Sequence, residues 1–539
     1  MVLMPLFWEL VLWCGKKLSK NMKKFYSILL VIFVACQPAQ KKIIDYVNPF
    51  IGTGGHGHTY PGAASPFGMV QLSPDSRLDG WDGCGAYHYS DSVIYGFSHT
   101  HLSGTGISDY ADVLLMPTTG DLLLNNGADG ADGYGSSFSH DNELAQPGFY
   151  QVQLDDYNIG VELTVSPRAG FHRYTFPTNE VAQVILDLDH RDKLMAVFLE
   201  QVDSVTLKGY RYSNQWATDQ RIHFHAKFSS PIQKLVYRPD SLVVGMMFGE
   251  LDAPLLVKVG ISAVDMLGAQ QNLEAEIPHW DFNKIKQSVQ DAWETNLSKI
   301  QVYGRDENHK TIFYTALYHS LLNPNLYIDV DGRYRGMDMQ IHQDSTDNHY
   351  TIFSLWDTFR ATHPLFTIIE QEKTNEFVRT FLRQFRQGGK LPIWELAANY
   401  TNCMIGYHAI PVIADAYIKG LKDYDVEEAM DAMINSANLE TEGLKYYKAK
   451  GFIAASDEPE SVSKTLEYAY DDWCIAVMAD SLDRTDVAND FYQRAQYYKN
   501  IYDPSTKFFR AKVNNNWFGP FVPDEVNFNY TEANAWQYS

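Results

Sequence analysis

In the stretch Ile285-Lys286-Gln287-Ser288-Val289-Gln290-Asp291-Ala292-Trp293-Glu294-Thr295-Asn296-Leu297-Ser298-Lys299-Ile300 the chain changes its hydrophobic period. Ile285, Val289, Ala292, Trp293, Leu297 and Ile300 fall on one face of a helix. Upstream, from Phe149 to about residue 264, the period is two. Val161, Leu163 and Val165 alternate with polar neighbours, as do Ile222, Phe224, Ala226 and Phe228. Ala182 to Leu188 and Leu255 to Ile261 add short apolar runs, and Gly, Pro, Asn and Asp clusters separate them. Many short strands at this spacing predict an antiparallel sandwich, each sheet burying one face. Downstream the period is helical. Ile312, Phe313, Ala316, Leu317 and Leu321 form a stripe that stops before Pro324. Phe377, Val378, Phe381, Leu382 and Phe385 form another, ended by Gly388-Gly389. Further helices are expected over Met404 to Lys419, with Pro411 as a kink or first-turn residue, Ser461 to Ser481, and Thr485 to Tyr502. A chain of 539 residues is too long for one ordinary core. The expected division is an N-terminal extension with signal and tether (1–42), a β-sandwich (43–278), a linker helix (279–303) and a partial α/α toroid (304–539).

Acidic residues outnumber basic ones, 66 to 44, for a formal charge of -22. Nucleic acid is thereby excluded as a partner, since phosphates need a basic face. The charge suits a neutral ligand and a soluble, monomeric protein. Cys14, Cys36, Cys84, Cys403 and Cys474 form no C-x-x-C pair and no zinc spacing. Cys84, Cys403 and Cys474 read as small buried hydrophobes. Met22-Lys23-Lys24 followed by the apolar run Phe25 to Ala35 reads as a secretory signal, with Met22 as the true start. Val34-Ala35-Cys36 resembles a bacterial lipobox, in which Cys36 carries the lipid; an ordinary cleaved signal is the alternative. Either way the protein is expected outside the cytoplasm, in the periplasm or as an outer-membrane lipoprotein of a bacterium. The lipid is its one expected tie to a membrane.

The glycine-rich stretch from Tyr46 to Gly62 is a loop built for close backbone approach. It has neither the lysine of a P-loop nor the strand-to-helix setting of a dinucleotide fingerprint. His56 and His58 are metal ligands at i, i+2 or hydrogen-bonded loop residues; two ligands alone fall short of a site. Trp81, within Gly80-Trp81-Asp82-Gly83, offers a face for a sugar or plugs the loop. His99 and His101 read as loop anchors.

Three loops of the helical half combine aromatic and acidic side chains. Ser354-Leu355-Trp356-Asp357-Thr358-Phe359-Arg360 pairs an indole with a carboxylate able to accept two sugar hydroxyls; the alternative is an Asp-Arg pair fixing two helices. Trp394-Glu395 sits between two helices, where Glu395 holds hydroxyls, orients neighbours or makes a salt bridge. The adjacent carboxylates Asp471 and Asp472 face different directions on a helix and read as structural. Near the end, Asn529-Tyr530-Thr531-Glu532-Ala533-Asn534-Ala535-Trp536-Gln537-Tyr538 sets an acid among aromatics and amides, with no basic residue beside it. Such a setting is expected to raise a carboxyl pKa, as a proton donor near neutral pH requires. The alternative is a helix start with a buried polar network.

This last motif resembles the Tyr-Thr-Glu-(Gly/Ala)-Asn-Ala-Trp-Gln-Tyr signature of the glycoside hydrolase family 92 α-mannosidases. The Gly80–Tyr89 and Gly96–Gly106 stretches resemble the opening domain of the same family. The resemblance spans about residues 44 to 538. It implies an inverting, calcium-dependent exo-mannosidase with a β-sandwich before an (α/α)6 barrel, acting on α-1,2-linked or related mannosides of glycans. It implies Glu532 as general acid, Trp81 at the leaving-sugar subsite and Asp357, beside Trp356, at the terminal-sugar subsite, with Trp394 and Glu395 lining the pocket. The general base and most calcium ligands are then expected beyond Ser539, with Gln537 a weak candidate ligand, because twelve helices need far more chain than 304–539 supplies. Two competitors stand beside this reading: a mannose-binding module without turnover, and another sandwich-plus-toroid enzyme, a phosphorylase or polysaccharide lyase.

Overall fold

The computed structural model describes residues 41–539. The signal segment and Cys36 lie outside the described residues.

Two antiparallel sheets build the first half. The larger has eight strands in the order Lys193–Asp203, Thr206–Asn214, Gln220–Phe228, Leu255–Ser262, Ala169–Thr175, Ile159–Val165, Phe149–Leu154 and Glu143–Gln146. The smaller has seven: Ala63–Ala64, Gln71–Asp75, Gly96–Ser98, Leu114–Thr118, Ala182–Asp187, Val243–Gly249 and Lys234–Tyr237. Alternation does its expected work where one face meets the core: Val161, Leu163, Ile222 and Phe224 are buried in a cluster that also takes Val184 and Val244 from the other sheet. The first four strands of the smaller sheet escape the period-two reading for a physical reason. Gln71–Asp75 and Leu114–Thr118 are buried along their whole length. A strand covered on both faces shows no alternation.

The chain leaves the sandwich through two helices. Met266–Glu276 packs on the Leu255–Ser262 strand and has no clean apolar stripe, since Leu267 is exposed; period alone does not reveal it. Phe282–Leu297 is the linker helix read from the sequence. Asp281 caps it, accepting from the Lys284 N–H at 3.1 Å. Its buried face is Phe282, Ile285, Val289, Trp293 and Leu297. The Trp293 indole donates to the Ala64 carbonyl at 2.7 Å, tying the helix to the smaller sheet.

The second half is helical: Glu307–Ser320, Gln371–Gly388, Ala409–Ile418, Val426–Ala437, Leu444–Lys450, Ser461–Ser481 and Thr485–Arg494 carry its core. Pro411 occupies the first turn of Ala409–Ile418. Gly389 closes Gln371–Gly388 in the left-handed conformation, φ 79°. Asp471 and Asp472 are structural. Asp471 accepts from His408 Nδ1 at 2.8 Å and the Tyr407 N–H at 2.9 Å; Asp472 accepts from the Tyr407 and Tyr447 hydroxyls at 2.8 and 2.9 Å. Burial alone would lower His408, but the Asp471 and Glu467 carboxylates outweigh it and hold the ring at about 9. Among the described residues, no helix is long and apolar enough to cross a membrane.

Candidate active site

A three-stranded sheet of Phe353–Ser354, Trp394–Leu396 and Asn399–Tyr400 organises one wall of a cavity between the two halves. Ser354 pairs with Trp394 and Phe353 with Glu395, so the Trp356-Asp357 loop and Trp394 are held in one register. One helical turn, Leu355–Thr358, follows at once and presents Trp356 and Asp357. Asn399 locks this wall to the sandwich: its side chain accepts from the Asp219 N–H at 3.1 Å and donates to the Asp219 carbonyl at 3.1 Å. Trp216, from the same sandwich loop, packs on Trp394 with ring centroids 4.9 Å apart.

The cavity measures about 590 Å³. The helical half lines it with Trp356, Asp357, His363, Trp394, Cys403 and Glu532; the sandwich lends His56, His58, Trp81, Gly106 and Trp216. Trp81 is 59% exposed and stands at the mouth. A Cβ at position 106 would meet its ring at 2.5 Å, so glycine there is what lets the indole lie over the loop.

Glu532 is held by its neighbours rather than by its own carboxylate. Asn529–Thr531 is strapped across the start of the Ser461–Ser481 helix: the Val462 N–H donates to the Asn529 carbonyl at 3.1 Å, and the Thr531 N–H donates to Ser463 Oγ at 2.8 Å. Glu532 then turns into the left-handed region, φ 49°. Asn534 caps the short helix Ala535–Tyr538, accepting from the Trp536 N–H at 3.1 Å. The expected aromatic shell lies elsewhere. Tyr530 and Ala535 pack into a small core with Phe452 and Val462, and Trp536 meets Phe508 edge-on at 4.8 Å. The Glu532 carboxylate itself is exposed in the cavity wall. Cys403 sits close by: burial pushes its thiol up to about 11, and the Glu532, Glu460 and Asp357 carboxylates add to the shift.

The chain matches the model of the glycosyl hydrolase family 92 catalytic domain over residues 268–539 and that of the family's N-terminal domain over 46–262. The chain belongs to glycosyl hydrolase family 92. A family GH92 α-mannosidase of Bacteroides thetaiotaomicron is 36% identical and superposes with a TM-score of 0.88, over 93% of this chain and 71% of that one. A second family member of that organism, an inverting mannosidase, is 29% identical with a TM-score of 0.85, over 93% of this chain and 71% of that one. An uncharacterized secreted glycosidase of Arthroderma benhamiae is 25% identical, over 93% of this chain and 67% of its own length. The fold is therefore the family's sandwich followed by its helical domain, and the protein is a glycoside hydrolase.

Of the residues expected at the family 92 site, Trp81, Trp356, Asp357, Trp394 and Glu532 share the cavity. Asp357 is not paired with Arg360. It accepts a hydrogen bond from Ser354 Oγ and is otherwise exposed, while Arg360 donates to Glu467 at 3.1 Å. Glu395 does not reach the cavity. It is 1% exposed and accepts from Thr351 Oγ at 2.8 Å, the Ala398 N–H at 2.7 Å and the Ile352 N–H at 3.1 Å. Burial pushes it up to about 7 against these bonds. From inside the protein it holds Thr351, Ile352 and Ala398 in place. Trp216 and His363 are cavity residues that sequence reading misses, since neither lies in a motif with an acid; burial pulls His363 down to about 3.

A larger trough of about 830 Å³ runs past Pro411, Tyr470, Trp473 and Tyr538. Its acids are engaged, Glu467 with Arg360 and His408 and Asp415 with Lys419. The smaller cavity is the one with exposed carboxylates among indoles.

Calcium takes six to eight oxygen ligands. Among the described residues, the group of three or more acidic, histidine or cysteine ligands that forms is His56, His58 and Asp82, whose two nitrogens do not fit calcium. Gln537 Oε1 accepts from the Asn534 N–H at 2.9 Å and keeps a second lone pair. Among the described residues, no group of three carboxylates comes together to hold calcium.

Proposed function

We propose that this glycosidase removes terminal α-mannosides from mannose-containing glycans, α-1,2-linked residues among them, with inversion. One observation carries the reading: Glu532 shares a cavity with Trp356, Asp357 and Trp394 on the helical side and Trp81 on the sandwich side. The likeness to a Bacteroides α-mannosidase, to an inverting mannosidase of the same organism, and to a complex of the former with mannoimidazole supports the choice of sugar. Asp357 accepts hydroxyls of the terminal sugar, Trp356 and Trp394 enclose it, and Trp81 stacks on the leaving sugar. Glu532 protonates the glycosidic oxygen as that bond breaks. Inversion needs a carboxylate roughly 6.5–9.5 Å from the acid to activate water on the opposite face. Asp357 is committed to hydroxyls here, and the base is assigned to no described residue. Calcium dependence comes with the family resemblance and enters none of these steps. Export with lipidation at Cys36 places the enzyme where glycans are met.

The test is a panel of α-linked mannobioses followed by NMR as the reaction starts. β-Mannose as the first anomer, released fastest from the α-1,2 disaccharide, is the expected result. α-Mannose appearing first, binding without release, or release that needs phosphate would overturn it. The leaving-sugar assignment has its own check. Trp81→Ala should raise KM for mannobiose about tenfold, the loss of one stacking face, and leave α-mannosyl fluoride, whose leaving group has no ring to stack, nearly unaffected in KM. An equal effect on both substrates would remove Trp81 from that subsite.

A further inference from the structure

The lip of the cavity carries two histidines and an aspartate that hydrolysis does not use. His56 and His58 lie on the tight loop that follows Gly52, and Asp82 lies on the turn Trp81–Gly83. Glycines let the two loops meet. A Cβ at position 57 would stand 2.1 Å from the Gly52 carbonyl oxygen, and one at position 85 would stand 2.7 Å from the His58 carbonyl oxygen. One ligand atom from each of His56, His58 and Asp82 lies within 4.8 Å of the other two. His56 Nδ1 is 2.6 Å from Asp82 Oδ1, and His58 Nε2 is 3.8 Å from the same oxygen. A tetrahedral zinc ion with ligands at its usual distances sets them about 3.3 Å apart. The two separations bracket that value.

A second observation is independent of this spacing. His58 Nδ1 lies 2.8 Å from the Thr105 carbonyl oxygen. A carbonyl only accepts, so Nδ1 carries the hydrogen, and Nε2 of the neutral ring presents a lone pair. His58 is 5% exposed, and its Nε2 is buried without a hydrogen-bond partner. It faces a carboxylate oxygen. Two acceptors set against each other repel; a cation between them turns the repulsion into two bonds. A carbonyl on the far nitrogen is also how metal-binding histidines hold their tautomer. The neighbouring basic groups are occupied. His88 bonds Ser90 Oγ at 2.8 Å and the Gly55 carbonyl at 3.2 Å, and the Arg77 guanidinium pairs with Asp91.

From this arrangement we propose that His56, His58 through Nε2, and Asp82 bind one zinc-class divalent cation, with water completing its coordination. Two imidazoles and one carboxylate are the donor set of zinc rather than of calcium. The site is structural in effect. It ties the turn bearing Trp81, whose ring meets the His58 ring edge-on at 4.8 Å, to the opening loop of the sandwich. The indole at the mouth is thereby held from behind.

The experiment uses the full chain, stripped with a chelator and returned to excess calcium so that oxygen-lined sites are filled. Zinc is then titrated by calorimetry, with metal content measured after gel filtration, and cobalt is titrated in parallel. Wild type should retain one zinc per chain and develop the visible absorption of tetrahedral cobalt. His56→Ala and Asp82→Asn should lose both signals. The His56 ring is 77% exposed, so its removal does not threaten the fold. Zinc uptake by wild type no greater than by these variants overturns the site, as does a cobalt spectrum unchanged between them. No sugar is involved, so this result and the mannosidase assay fail separately.

Discussion

Glu532→Gln should lower kcat on an α-mannobiose by about a hundredfold to ten-thousandfold, the range that general acid catalysis contributes. The glutamine keeps the shape of the side chain and cannot deliver a proton. KM should move little, because binding rests on Asp357 and the three indoles. The diagnostic is the leaving group. A mannose leaves readily only when its glycosidic oxygen is protonated; a dinitrophenolate leaves without help. The variant should therefore be nearly as fast as wild type on the activated aryl mannoside and slow on the disaccharide. The geometry makes the substitution a clean one. The Glu532 carboxylate is not itself holding the loop, which is strapped to the Ser461–Ser481 helix through Asn529 and Thr531 and capped by Asn534. Undiminished disaccharide hydrolysis, or equal loss on both substrates, would show that Glu532 is not the acid.

How much of this was legible before any coordinates depends on what each residue's signal was made of. The Ile285–Ile300 stripe and the strands at Val161 and Ile222 announce themselves because one face is wet and one is dry. Leu114–Thr118 is dry on both faces, so no periodic signal exists to be read. Glu532, Asp357 and Trp81 were found because they stand in dense motifs. Their meeting in one cavity is a tertiary fact, created by the interlock of Asn399 with the sandwich loop that carries Trp216. Glu395 shows the limit from the other side. Beside Trp394 it reads as a sugar ligand, yet consecutive strand residues point to opposite faces. Trp394 takes the cavity, and Glu395 is turned into the protein. The lip cluster shows it again: His56 and His58 are two ligands, too few for a site, and the third, Asp82, comes from a separate loop.

Glu395 gives the other large effect, and here the expected readout is stability. Its two oxygens hold three donors. Thr351 Oγ must point its hydrogen at Glu395, since it accepts from the Ala397 N–H at 2.7 Å. The Ile352 and Ala398 N–H groups complete the set. These bonds restrain strained backbone: Ile352, Ala397 and Ala398 have φ of 66°, 49° and 63°. A β-branched residue in that region persists only where its surroundings enforce it. Glu395→Ala leaves three buried donors unanswered and should cost about 3–5 kcal/mol. Glu395→Gln can keep one oxygen toward Thr351 and Ala398 but turns an amide N–H against Ile352, which should cost about 1–3 kcal/mol at pH 5. The pH dependence separates this from simple misfit. Burial raises the folded-state pKa to about 7 from an ordinary 4.5. The folded protein therefore keeps a proton that the unfolded chain gives up, and the stability this confers is full below about 4.5 and lost as pH rises through about 7. Wild type should lose about 3 kcal/mol across that window relative to Glu395→Gln, which has no group to titrate there. Urea melts of both proteins at intervals from pH 5 to pH 8 should show the wild-type advantage shrinking and then vanishing. An advantage that stays constant from pH 5 to pH 8 would mean the buried carboxylate is held ionised, and that the three donors, rather than burial, govern the wall beneath the cavity.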